Sequence, residues 1–151
     1  MKALLTATAT LLALSAPAFA EGDVAKGEKS FKKCKACHMI VDEDGTKIYK
    51  GGKTGPNLYG IIGRVAGSYD GFKFGKSIIA AGEGGLVWDE ANLAAYVANP
   101  KAFLKEVTGD SGAKSKMSFK LKKGGEKVAA YLASVAPAPV PAEAETEAAT
   151  E

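Results

Sequence analysis

Soft metal ligands are scarce in this chain of 151 residues, which has two cysteines, one histidine and three methionines, one of them Met1. The cysteines and the histidine stand together as Cys34-Lys35-Ala36-Cys37-His38. No second imidazole exists to pair with the first. A structural zinc site needs four soft ligands and would have to borrow from a carboxylate or another chain. Long apolar runs are as few. Residues 3–16 form one, between the positive start Met1-Lys2 and Pro17-Ala18-Phe19-Ala20. It is too short to span a bilayer and ends in an A-x-A site, the pattern of a secretory signal peptide. Residues 1–20 are therefore expected to be cut off before Glu21, and the mature protein to be exported, to the periplasm of a Gram-negative cell, with no transmembrane segment after residue 20. No Gly-x-Gly-x-x-Gly or Walker pattern lies between a strand and a helix, which leaves a nucleotide cradle unsupported. The acidic run at Asp42 fails as a calcium loop because Lys53 falls where the bidentate glutamate belongs.

The far end has little to bury. Residues 137–151, PAPVPAEAETEAATE, read as a disordered acidic tail. The folded domain is then residues 21–136. Of 20 basic and 17 acidic side chains in the whole chain, one lysine and four glutamates lie outside this domain, leaving 19 against 13. A domain near +6 suits an acidic partner. Its lysines are not interleaved with aromatics as a nucleic-acid surface requires, so no nucleic-acid role is expected.

Helical spacing dominates what remains. Asp23 is placed to cap a first helix carrying Val24, Gly27, Phe31 and Cys34; Gly27 costs it about 1 kcal/mol relative to alanine, which close approach of another backbone would explain. Asp89 is placed to cap a helix with Leu93, Tyr96 and Val97 that Pro100 ends. Short helices are expected over residues 102–107 and 125–135, the latter with Val128, Tyr131, Leu132 and Val135 on one face. Asp44-Gly45 reads as a hairpin tip. Residues 51–71, with seven glycines and one proline, form a long shaped loop. No strand run is long enough to build a sheet, so the fold class is all-α.

CKACH admits three chemistries. A thiol-disulfide pair needs only Cys-x-x-Cys and an oxidising compartment, but it expects a βαβ context that is absent. Zinc lacks its fourth ligand. Cys-x-x-Cys-His is the signature of c-type haem attachment: two intervening residues put both sulfurs on one side of a helical turn, each able to form a thioether to a haem vinyl group, with the histidine beneath the iron. Export, a basic domain and a sheet-free pattern favour haem c, one per chain, held covalently by Cys34 and Cys37. With His38 used and no other histidine, the sixth ligand is sought among methionines. Met1 leaves with the signal and Met39 adjoins His38, so Met117 remains. An iron closed on both axial sides by His38 and Met117 suits one-electron transfer rather than catalysis, and the thioether raises its potential.

As an ordered set, Gly27 and Phe31 before CKACH, TGPNLYGIIGR at 54–64, Trp88, YVANP at 96–100, KMSF at 116–119 and AAYL at 129–132 resemble a class I cytochrome c of the bacterial cytochrome c2 and c550 type, over residues 23–135. The resemblance implies the cytochrome c fold, several helices and long loops around one covalently attached haem, with the terminal helices crossing at Gly27. It implies that the Pro56 carbonyl holds the second nitrogen of His38, that Arg64 and Trp88 lie near a haem propionate, and that Tyr96 points its hydroxyl at the Met117 sulfur. It departs from the family at Phe74, where a propionate-bonding tyrosine is usual; Tyr69, close by in sequence, is a candidate substitute. The implied role is a monomeric electron carrier from a bc1-type complex to a terminal oxidase, another reductase or a photosynthetic reaction centre. Lys35, Lys53, Lys114, Lys116, Lys120, Lys122 and Lys123 would form the docking ring around the haem edge.

Overall fold

The computed structural model describes residues 21–136; the expected signal peptide and acidic tail lie outside them. In chain order the elements are α1 (Glu21–Phe31), a hairpin of β1 (Ile40–Val41) and β2 (Lys47–Tyr49), α2 (Lys76–Glu83), α3 (Glu90–Ala98), α4 (Pro100–Thr108) and α5 (Gly125–Ser134). The antiparallel hairpin is the one sheet among the described residues, so the all-α expectation holds.

α1 packs against α5, and α5 against α3. The first crossing depends on Gly27. A methyl group there would collide with the Lys127 carbonyl oxygen and stand 2.7 Å from Cβ of Tyr131, so the missing side chain is what lets the two backbones meet. Below the crossing, fully buried Phe31 sets its ring edge-on to Tyr49 at 4.9 Å and tilted to Tyr131 at 5.7 Å. Asp23 does not cap α1. The helix is already formed at Glu21, and the Asp23 carboxylate faces Lys26 at 3.9 Å instead.

The other helix boundaries follow local chemistry. Asp89 accepts from Asn92 N at 2.7 Å while Asn92 Oδ1 accepts from Asp89 N at 3.1 Å, a reciprocal cap for α3. Pro100 both ends α3 and opens α4 as its first residue, where a missing N–H costs nothing; α4 therefore begins two residues before the expected 102. The hairpin turns at Asp42–Thr46, with Gly45 alone supplying a positive φ of 83°. α2 has no counterpart in the sequence reading. Its N-cap is Gly75, which offers no side-chain hydrogen bond, and its buried residues are the small Ala81 and Gly82 rather than a large apolar stripe.

Candidate functional site

The turn after α1, the glycine-rich loop, the start of α3 and the segment after α4 enclose a cavity of about 450 Å³. Its wall includes all eight residues singled out from the sequence: Cys34, Cys37, His38, Pro56, Arg64, Trp88, Tyr96 and Met117. Core residues reach the same space, among them Ile61, Leu93, Leu104, Val128 and Leu132.

CKACH continues from α1 in helical turns. Cys34 N donates to Phe31 O at 2.7 Å, Cys37 N to Cys34 O at 3.1 Å and His38 N to Cys34 O at 3.0 Å. This winding brings both sulfurs and the imidazole to the cavity. The glycine-rich loop is laced onto the turn, Gly52 N donating to Lys35 O and Gly55 N to Cys37 O, each at 2.8 Å. The His38 ring lies directly against Gly55: a methyl group built there would come within 2.6 Å of Nδ1 and 2.8 Å of Nε2. Nδ1 stands 2.8 Å from the Pro56 carbonyl oxygen. That oxygen can only accept, so Nδ1 carries the proton and Nε2 keeps its lone pair. Burial pushes the imidazole pKa below its ordinary value, against the opposing pull of the Pro56 hydrogen bond.

The two cysteines are not bonded to each other. Burial, reinforced by Cys37 and opposed by Lys33, pushes the Cys34 thiol up to about 11. A redox-active Cys-x-x-Cys needs a depressed thiol, so the disulfide-exchange reading loses its chemistry. Zinc fares no better: no group of three or more His, Cys, Asp and Glu side chains is gathered as a ligand set among the described residues.

Across the cavity wall, residues 63–66 pair with 86–88 in a strand-like way. Gly63 N donates to Trp88 O at 2.7 Å, Trp88 N to Arg64 O at 2.9 Å and Ala66 N to Leu86 O at 2.9 Å. Arg64 and Trp88 are thereby neighbours. The Arg64 guanidinium donates to Asn57 O at 3.1 Å and to Tyr59 O, and its Cζ lies 4.8 Å from the centre of the Tyr69 ring. Burial pushes its pKa down and Tyr69 pulls it back. Trp88 is buried against Tyr96 at 5.0 Å and stacked on Phe103 at 6.0 Å.

Tyr96 departs from expectation. Its hydroxyl meets Ser115 Oγ at 3.4 Å, not the Met117 sulfur. Ser115 Oγ in turn donates to Met117 O at 2.9 Å and accepts from Met117 N at 3.1 Å. Two residues before the methionine, the serine hydroxyl therefore fixes the Met117 backbone and occupies the tyrosine. Nothing in the polar run Ser115-Lys116-Met117-Ser118 marked one serine above the other. Asn57 was also missed. It is buried, with Oδ1 accepting from Val41 N at 3.0 Å and Tyr59 N at 3.2 Å and Nδ2 donating to Val41 O at 2.6 Å, which fastens the hairpin to the loop that carries Pro56 and Arg64. An asparagine after Gly-Pro reads as a turn residue until the hairpin is folded against it.

No family model matches the chain. It is 61% identical to the cytochrome c2 of Rhodobacter capsulatus over 136 residues, 89% of this chain and 98% of that protein. The chain belongs to the cytochrome c2 and c-550 family. Cytochrome c-550 of Paracoccus versutus is 55% identical over 140 residues, 91% of each chain. The solved structure of the Rhodobacter capsulatus cytochrome c2 superposes with a TM-score of 0.74 at 61% identity, covering 76% of this chain and 98% of that one. Members of the cytochrome c2 family are electron-transport proteins with one covalent haem c, and the site fits that group. The cavity is apolar, one imidazole nitrogen is unprotonated, both cysteines stand at its edge unbonded to each other, and a thioether lines the same space. No helix among the described residues is long and apolar enough to cross a membrane.

Proposed function

We propose that this chain is an exported, monomeric, single-haem electron carrier in which His38 and Met117 hold the iron and Cys34 and Cys37 hold the porphyrin edge. Residues 1–20 serve as signal peptide, 21–136 as the cytochrome domain and 137–151 as an acidic tail, and the mature protein works in the periplasm. The observation that carries this reading is the convergence of all eight residues on one apolar cavity, with His38 Nδ1 committed to Pro56.

When bound, the haem supplies a one-electron Fe(III)/Fe(II) couple, and histidine with methionine raises its potential. The chain does the rest. Pro56 fixes the tautomer and plane of the imidazole, as outer partners of metal-bound histidines do. Gly55 leaves the ring room to lie flat on the loop. Ser115 pins the Met117 backbone, Trp88 and Tyr96 keep water from the wall, and Arg64 sets a positive charge toward the propionates.

The seven lysines flanking the two ligand segments are all exposed, and Lys114 and Lys116 border the cavity. Among the described residues the one ion pair is Lys26 with Asp23, so no described carboxylate neutralises any of the seven. They form the docking face for a bc1-type donor and for an oxidase, another reductase or a photosynthetic reaction centre as acceptor. Steering by such charges weakens with salt. The rate of reduction by the donor complex is expected to fall as ionic strength rises, and a flat rate removes the docking face.

Optical spectra of the purified protein in both redox states test the whole site. The expected result is haem retained through acid acetone, with a sulfur-to-iron charge-transfer band in the oxidised form that disappears in Met117→Ala. A colourless product with two titratable thiols, or ready carbon monoxide binding by the reduced protein, overturns it.

A further inference from the structure

Arg64 is the sole arginine among 20 basic side chains. It is half-buried in the cavity wall, where no described carboxylate pairs with it. Two of its N–H groups are spent on the carbonyls of Asn57 and Tyr59. A guanidinium offers five donors in a rigid plane, so two carbonyls on one edge leave the other donors, and both faces of the plane, to be controlled by something else. Tyr69 covers one face.

The placement of that ring is built into the loop. Residues 65–72 turn tightly: Ser68 N donates to Val65 O at 3.3 Å, Ser68 Oγ to the same oxygen at 2.8 Å, and Phe72 N to Tyr69 O at 3.4 Å. The turn returns Tyr69 over the residue five positions before it. Both Tyr69 and Phe74 line the cavity, but Phe74 is engaged edge-on with Phe72 at 4.8 Å and has no hydroxyl. On this stretch of wall the polar chemistry therefore falls to Arg64 and the ring that covers it.

We propose that Tyr69 is a positioning residue whose aromatic face clamps the Arg64 guanidinium toward the cavity, so that the site holds its positive charge there without a carboxylate partner. The inference rests on the haem reading for its effect on potential, but the clamp itself is a property of the chain. Aromatic faces attract guanidinium through the ring quadrupole, and more strongly away from water. Phenylalanine preserves that attraction and an aliphatic side chain does not. Freed from the ring, Arg64 swings toward solvent and the positive charge beside the redox centre weakens, which favours the ferric state.

The test uses the holoprotein with Tyr69→Leu, Tyr69→Phe and Arg64→Leu, read by redox titration across pH and by hydrogen exchange of the Arg64 Nε–H in NMR. In Tyr69→Leu the reduction equilibrium is expected to fall threefold or more, about 28 mV at 59 mV per tenfold for one electron, and Nε–H exchange to accelerate at least tenfold. Tyr69→Phe is expected to leave both unchanged. If Tyr69→Leu does not yield folded protein, Tyr69→Gln, which also lacks the ring, takes its place. Wild-type behaviour in the ringless variant overturns the clamp. So does a phenylalanine variant as impaired as the leucine one, because the hydroxyl would then be acting. An Arg64→Leu potential equal to wild type overturns both the clamp's effect and the propionate role of Arg64. The exchange measurement reads the guanidinium and not the iron, so failure of the clamp can be told from failure of the haem reading.

Discussion

Gly55→Ala separates two opposite expectations. Gly55 has an ordinary backbone conformation with no positive φ, so alanine is allowed there. On backbone grounds alone the change stabilises by about 0.4–1 kcal/mol, because it restricts the unfolded chain. The His38 ring reverses the sign. The new Cβ would stand 2.6 Å from Nδ1 and closer still to Cε1, where ordinary contact begins at 3.4 Å, so ring or loop must retreat by roughly 1 Å. The retreat stretches the 2.8 Å bond to Pro56 beyond useful length. Losing it costs about 0.5–1.5 kcal/mol, and forcing a methyl group into a packed wall costs about 1–3 kcal/mol more. The net expectation is a loss of about 2 kcal/mol, or roughly 6–12 °C in melting temperature for a domain of this size. Guanidinium and thermal unfolding of the holoprotein, followed by far-UV circular dichroism, measure it. A variant as stable as wild type or more so refutes the claim that the glycine exists to seat the imidazole.

Two shorter tests follow. Gly27→Ala gains about 1 kcal/mol of helix propensity but drives a methyl group into the α5 backbone at Lys127; unfolding midpoints should show a net loss of about 2 kcal/mol, and a gain would mean the α1–α5 contact is looser than described. Burial lowers the His38 pKa in the chain itself, and in the holoprotein an iron held by the ring would also keep it unprotonated, so the folded state binds fewer protons than the unfolded one; the stability this supplies is present above pH 6.5 and lost as pH falls through the folded value. The melting temperature of the holoprotein should decline between pH 7.5 and 5.5, above the carboxylate range, and a rise on acidification would contradict the buried neutral imidazole.

What could be read from the sequence was what local rules control. Asp89 and Pro100 announce helix boundaries through hydrogen bonds they can make within three residues. CKACH and Met117 stand out by scarcity, and the structure brings them to one cavity. What could not be read depends on distant surfaces. α2 has glycine at its cap and small residues on its buried side, so neither propensity nor periodicity marks it, and it forms because Gly82 can press against the Ala66 carbonyl. The direction of the Tyr96 hydroxyl was set by Ser115, nineteen residues away. The Gly27 contact of α1 lies on α5, a hundred residues on in the chain, at Lys127.

The cavity also bears on how such a chain can be stable at all. Several of its buried hydrophobic residues also line the cavity, among them Leu104, Val128 and Leu132. Unfilled apolar space costs about 24 cal/mol per Å³ in a core. The cavity of about 450 Å³ is partly open to solvent, so filling it recovers part of such a cost rather than all of it. A loop of seven glycines adds to the entropy that folding must overcome. A chain with this core and this loop therefore gains from having the cavity filled by something large, apolar and tightly held, since anything bound to the folded state alone adds directly to its stability. Thioether attachment meets that requirement in the strongest form, because the group cannot dissociate. On the proposed reading, Cys34 and Cys37 would secure the fold in this way, and His38 and Met117 would be left to set the redox chemistry.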